Sequence, residues 1–219
     1  MTVINKSIRK GRLIVFEGID GSGKATQAKL LYKFFQKRKV PTALISFPNY
    51  KSTWGKVITK YLKGEFGSAT EVDPYLASIL YAGDRLLASK KISKWLNGGK
   101  YVVCDRYTAS NIAHQAAKIK SGKQKFIDWV ENFEYVQNKI PKENLVIYFS
   151  VPVNVSQKLM KGRKLDIHEK NEMYLSTVAK VFESLAKSSK HWKTIKCFEK
   201  GKLLGKETIH EKVLQILNL

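Results

Sequence analysis

Cysteine is scarce in this chain, with two in 219 residues, and that excludes a disulfide framework. Cys104 and Cys197 have no metal-ligand spacing, so a zinc module is excluded with it. Both sit in or beside apolar runs, which predicts buried, reduced thiols. Long apolar runs are missing too: none approaches the roughly 18 residues that span a bilayer, and Met1 to Lys10 lack the apolar centre of a signal peptide. The expectation is a soluble, cytoplasmic protein. Acids are the third shortage, with 18 Asp and Glu against 40 Lys and Arg, a formal net charge of +22. Such a surplus fits a nucleic-acid binder as readily as an enzyme for phosphorylated substrates. The lysines, however, are spread over every predicted helix at positions a helix exposes, among them Lys33, Lys60, Lys91 and Lys125. That favours a basic solvated surface that concentrates anionic nucleotides over a dedicated nucleic-acid arm.

What is present is regular. The 43% hydrophobic content supports a folded core, and no repeat, low-complexity linker or composition break divides the chain, so residues 1–219 are expected to form a single domain. Apolar runs alternate with helical patterns, the signature of a parallel sheet covered by helices on both faces. Strands are predicted at 13–17, 43–47, 101–105, 145–150 and 194–197. Helices are predicted at 24–38, 51–63, 74–96, 110–118, 124–138, 153–160, 169–188 and 205–217. Ligands of such sheets bind at the carboxyl ends of the strands, so Asp20, the segment 47–50, Asp105 to Tyr107 and Pro152 are expected to converge on one crevice.

The first strand runs into Gly18-Ile19-Asp20-Gly21-Ser22-Gly23-Lys24-Ala25-Thr26, which matches a P-loop in spacing. Backbone N–H groups must turn inward around a phosphate, which needs residues without Cβ, and Lys24 reaches back over the nest. One position departs from the motif. The hydroxyl residue that would ligate a nucleotide's Mg²⁺ is replaced by Ala25, and Thr26, one residue on, is rotated by about 100° around the helix. Metal held by phosphates, water and carboxylates from elsewhere is the expectation.

Further along, Asp105-Arg106-Tyr107 ends a hydrophobic strand, where a carboxylate can hold Mg²⁺ or its water and a guanidinium can clamp phosphate. A plain ion pair at a strand end is the alternative. Lys161-Gly162-Arg163-Lys164 can close as a lid over transferring phosphates, or it is a solvated turn. Tyr81 and Arg85, four apart on one helix face, suit stacking on a base and reading its edge; the plainer reading makes Tyr81 core and pairs Arg85 with Asp84 or a surface acid. Asn111 and His114, one turn apart, are ambiguous in isolation.

Taken together these residues resemble the thymidylate kinase family over essentially the whole chain. The resemblance rests on the phosphate loop, Phe47-Pro48-Asn49-Tyr50, Asp84-Arg85, Asp105 to Asn111, and Asp166-Ile167-His168-Glu169. It implies a five-stranded α/β P-loop NTPase fold with a short lid at about 158–169, and transfer of the ATP γ-phosphoryl to dTMP with Mg²⁺ in a homodimer. It also implies that Lys24 and the loop amides hold ATP, that Asp20 meets the acceptor sugar and the metal region, and that Arg106 clamps the acceptor phosphate. Phe47 would pack by the base, Tyr50 by the acceptor phosphate and Tyr81 on thymine, with Arg85 and Asn111 at the base edge. His114 would lie beside the deoxyribose, and His168 and Glu169 would complete the sugar and metal side next to Asp20 and Asp105. With no cation at Gly21 or Ser22, Arg163 is the expected catalytic arginine. Asn49, where many members carry Arg, departs from the pattern. A kinase for another nucleotide or nucleoside, or a nucleic-acid-binding P-loop protein without turnover, are the competing readings.

Overall fold

The computed structural model describes residues 10–68, 71–160, 166 and 172–219. In chain order the main elements are β1 (Arg12–Glu17), α1 (Lys24–Lys37), β2 (Thr42–Ser46), α2 (Thr53–Leu62), α3 (Pro74–Asn97), β3 (Tyr101–Asp105) and α4 (Thr108–Ala116). There follow α5 (Lys123–Glu131), a π-helical stretch (Asn132–Gln137), β4 (Leu145–Ser150), α6 (Val153–Leu159), α7 (Glu172–Ser188), β5 (Trp192–Lys196), β6 (Phe198–Glu199), β7 (Lys202–Leu203) and α8 (Lys206–Ile216). Five strands form a parallel sheet in the order β2-β3-β1-β4-β5.

Burial on both faces explains why these strands read as continuous apolar runs. Successive residues of β1 serve opposite cores. Leu13 and Val15 join Val102, Cys104, Val146 and the apolar faces of α4, α5 and α7, while Ile14 and Phe16 join Val103, Ile147 and those of α1 and α8. Helix starts follow local chemistry. Asp73 caps α3 by accepting from the N–H groups of Tyr75 and Leu76, with Pro74 in the first turn, and Ser52 caps α2 through the Gly55 N–H. Cys104 and Cys197 are buried free thiols, as expected. No helix among the described residues is long and apolar enough to cross a membrane.

The structure departs from the sequence expectations in several places. The helix expected at 124–138 is α5 followed by a π-helical turn, whose single inserted residue leaves no mark on a 3.6-residue pattern. α4 begins at Thr108 rather than 110, because the Glu17 side chain satisfies its first amides. β5 begins at Trp192, opposite Val146. A short antiparallel pair, β6 and β7, turns through Lys200 and Gly201, both at positive φ. The expected lid overlaps the end of α6 at 158–159 and its C-cap Met160 and otherwise, Asp166 apart, lies outside the described residues.

Gly55 in α2 allows the closest approach in this part of the molecule: a Cβ there would meet the Asn49 carbonyl oxygen at 1.9 Å and the Tyr50 Cα at 2.8 Å. Both neighbours are backbone, so the segment 47–50 has to move to make room. Gly55→Ala should therefore cost about 1–3 kcal/mol despite alanine's better helix propensity. Thermal unfolding should show a melting temperature lower by several degrees; an unchanged one would show that this contact constrains nothing.

Candidate active site

After β1 the chain turns through the glycine-rich loop before α1 begins at Lys24. Gly21 and Gly23 take φ of 75° and 87°, and a Cβ on Gly21 would come within 2.7 Å of the Ser156 carbonyl oxygen. The loop is anchored to α6 by the Ser156 hydroxyl, which donates to the Asp20 carbonyl. The buried Lys24 ammonium donates to the Ile19 carbonyl at 3.1 Å and lies 3.6 Å from the Asp20 carboxylate. Burial and the nearby Arg106 pull its pKa below the ordinary lysine value, against the attraction of Asp20. Ala25 and Thr26 are exposed on the first turn of α1.

Opposite the loop, at the end of β3, Arg106 adopts φ 65°, a left-handed conformation that a non-glycine residue holds only when its surroundings demand it. Its N–H donates to the Phe16 carbonyl at 3.0 Å. The guanidinium forks: Nη2 reaches Asp20 at 2.5 Å and Nη1 reaches the Ser110 hydroxyl at 3.0 Å. For Asp20, burial opposes ionisation, yet Arg106 first and Lys24 second hold the carboxyl well below the usual carboxylate range. The Ser110 hydroxyl passes its own proton towards Glu17 at 2.5 Å. Glu17 is fully buried and also accepts from the N–H groups of Tyr107 and Ser110. Burial pushes its carboxyl above the usual range and outweighs the opposing pull of Ser110 and Arg106.

Above this network lies a cleft of about 290 Å³. It brings together Asp20, Phe47, Tyr50, Tyr81, Arg85, Arg106, Asn111 and His114, every residue assigned from the sequence to the acceptor side that falls within the described residues. Pro152 is not among its walls; it caps α6 instead. Arg163, His168 and Glu169 lie outside the described residues. The wall at 47–50 is held by Asp84, which accepts from the Asn49 N–H at 2.6 Å and the Ser52 hydroxyl at 2.5 Å. Phe47 packs against Tyr107, and Tyr81 stands edge-on to Tyr61. The Tyr174 hydroxyl donates to the His114 carbonyl at 2.7 Å.

The plainer reading of Arg85 needs correction. Its partner is neither Asp84 nor a surface acid but Glu134, fully buried in the π-helical turn, which it meets bidentately at 2.5 and 2.6 Å. Glu17, Ser110, Gln115, Leu62 and Glu134 are the residues that sequence reasoning missed. The two glutamates left a signal: each is an acid inside an apolar or aromatic stretch, Val15-Phe16-Glu17 and Phe133-Glu134-Tyr135, where an unpaired charge is costly.

For a divalent cation, Asp105 is the residue that fits. One of its carboxylate oxygens is buried without a hydrogen-bond partner, while the other accepts weakly from Ser46 at 3.3 Å; a hard cation or its water needs such an oxygen. Asp20 is already engaged by two cationic groups. No group of three or more His, Cys, Asp or Glu that could hold a metal occurs among the described residues.

A phosphate loop sharing a charged centre with a base-sized cleft at the carboxyl ends of a parallel sheet defines a P-loop nucleoside monophosphate kinase, a phosphotransferase with ATP as donor. The family model for thymidylate kinase matches residues 16–215, and the chain belongs to the thymidylate kinase family; dTMP kinase function comes with that membership. The chain is 33% identical over 176 residues to the thymidylate kinase of Plasmodium falciparum, covering 80% of this chain and 76% of the relative. To that of Caenorhabditis elegans it is 31% identical over 196 residues, covering 85% and 83%. A solved structure of thymidylate kinase from Candida albicans shares the fold, with a TM-score of 0.79 at 24% identity over 95% of this chain and 92% of that one.

The raised Glu17 carboxyl generates a pH prediction. Because the folded state keeps this proton to higher pH than the unfolded chain, stability falls as pH rises between the ordinary glutamate value of about 4.3 and the raised one. Glu17→Gln removes the titration but keeps an oxygen for the Tyr107 and Ser110 amides. Denaturation midpoints of the variant should gain on the wild type as pH rises above the ordinary glutamate value. A difference independent of pH would show that Glu17 titrates at its ordinary value.

Proposed function

We propose that dTMP occupies the cleft with its phosphate at Arg106 and its base between Phe47 and Tyr81, and that ATP lies on the phosphate loop under Lys24. An oxygen of the acceptor phosphate attacks the γ-phosphorus while the bond from that phosphorus to the β,γ-bridging oxygen breaks, which gives dTDP and ADP. The observation that carries this arrangement is the Lys24–Asp20–Arg106 cluster, at 3.6 and 2.5 Å. Asp20 belongs to the donor loop and to the cleft wall at once, so the group that holds the donor and the group that clamps the acceptor are oriented by one carboxylate.

Little covalent chemistry falls to the protein in such a transfer; alignment and charge are its contribution. Arg106, its second arm fixed by Ser110, offers a planar fork to the acceptor phosphate. Lys24, emerging from the P-loop, neutralises the donor. Mg²⁺, held by Asp105, Asp20 and Glu169 directly or through water, would supply further neutralisation of the phosphates. Arg163 with its neighbouring lysines adds charge from the lid at the transition state. His114 and His168 bound the sugar, and Tyr50 lies by the acceptor phosphate.

The whole chain then acts as one kinase domain, in the cytoplasm, where Cys104 and Cys197 stay reduced. It acts as a homodimer, for which Leu76 and Leu87, three helical turns apart and more than half exposed on α3, offer an apolar face.

Coupled ADP release across a panel of nucleoside monophosphates and nucleosides should peak on dTMP, vanish in EDTA, and vanish in a folded Lys24→Ala variant. A preference for another monophosphate would overturn the substrate assignment, and near-normal turnover of the Lys24 variant the donor site. Arg163→Ala should lower kcat by about 10²-fold with little change in dTMP affinity, because its interaction belongs to the transition state. A raised KM at constant kcat would make Arg163 a binding residue instead.

A further inference from the structure

The buried acid that anchors Arg85 has a consequence for which base the cleft accepts, and it rests on the thymidylate kinase reading of that cleft. Glu134 receives four donors: Nε and Nη2 of Arg85, the Thr108 hydroxyl at 3.3 Å, and Nδ2 of Asn111 at 3.0 Å. The Asn111 amide nitrogen donates its second hydrogen to the Ser78 carbonyl at 3.2 Å. Both amide hydrogens are thus committed to acceptors. Turning the amide over would aim its oxygen at a carboxylate and a carbonyl, so the orientation is fixed. The oxygen left on the other side, Oδ1, is buried without a partner, and Asn111 lines the cleft. For Arg85, also a cleft wall, the bidentate pairing spends the Nε and Nη2 side of the fork and leaves Nη1.

We infer that Glu134 is a positioning residue that sets the polarity of the base-reading edge: it fixes Asn111 to offer an acceptor and Arg85 to offer a donor. A pyrimidine with a ring N–H beside a carbonyl, as thymine has at N3 and O4, satisfies both. Cytosine presents a lone pair and an amino group at the same places and satisfies neither, which leaves two buried groups unpaired. The π-helical turn is what makes this possible, because it carries Glu134 on a segment between α5 and β4 that is remote in sequence from both residues it orients. Unlike a residue that touches the base, Glu134 acts entirely through Arg85 and Asn111.

The test compares Glu134→Gln and Glu134→Asp with wild type in dissociation constants for dTMP and dCMP by calorimetry, in kcat with dTMP, and in melting temperature. In Glu134→Gln the one remaining oxygen can serve Asn111 and Nη2 of Arg85 only if the new amide nitrogen is set against Nε of Arg85, and the charge that holds the guanidinium is lost, so Arg85 is released from its fixed orientation. The dTMP-over-dCMP preference should fall at least 10-fold, with kcat at saturating dTMP changed less than 3-fold. Glu134→Asp keeps the charge and should lose about 3- to 10-fold of the preference. A merely structural role would weaken both nucleotides alike, leave their ratio unchanged and overturn the inference. If Glu134→Gln does not fold, the ratio for Glu134→Asp decides alone. A wild type that does not phosphorylate dTMP refutes the underlying reading, whereas an active wild type whose variants keep its preference refutes only the role of Glu134.

Discussion

The Glu17 carboxylate is the point on which the active site hangs. It ends the central strand β1, where both faces of the sheet are covered, and it accepts two backbone amides and one hydroxyl at the start of α4. The first amides of a helix have no partner within it, and α4 is buried almost along its length. Without an acceptor from elsewhere those amides would be left unsatisfied in the interior. Glu17 supplies it from a strand 90 residues away in sequence, which fastens the helix carrying Ser110, Asn111 and His114 to the strand that feeds the phosphate loop. Keeping an acid in an environment that disfavours its charge is the cost of that attachment.

From this attachment the charged centre follows. With α4 fixed, the chain between β3 and α4 has only Arg106 and Tyr107 in which to turn, and Arg106 takes a left-handed backbone to do so. The guanidinium is then carried across to Asp20 on the phosphate loop, its second arm resting on the same Ser110 hydroxyl that serves Glu17. The phosphate loop, the Arg106 guanidinium and the start of α4 therefore form one connected network.

A second buried acid plays the matching part on the far side of the cleft, where Glu134 gathers Arg85, Asn111 and Thr108. The two glutamates divide the work. One lies at the Arg106 end of the cleft and the other at the Arg85–Asn111 end, and each is paired with a helix or a cation that would be costly to bury alone. The surplus of positive charge lies by contrast on the exterior, where Lys33, Lys60, Lys91 and Lys125 are exposed.

Much of this was legible in the sequence, because the signals are local. The phosphate loop is a run of adjacent residues, the five buried strands are continuous apolar stretches, and Asp105-Arg106 follows a strand directly. Phe47, Tyr81, Arg85, Asn111 and His114 could be assigned to one cleft by resemblance. What sequence could not supply were the partners. That Arg85 meets Glu134 rather than its neighbour Asp84, that Asp84 instead holds the segment 47–50, and that Glu17 starts α4 are pairings between residues 32 to 93 apart. No periodicity encodes them. The sequence alone determined which residues are ionisable and which strands are buried, since burial writes itself into apolar runs. Only the tertiary structure decided which charges neutralise one another, because buried ion pairs and hydrogen bonds depend on a few ångströms of distance that only the packed sheet and helices set.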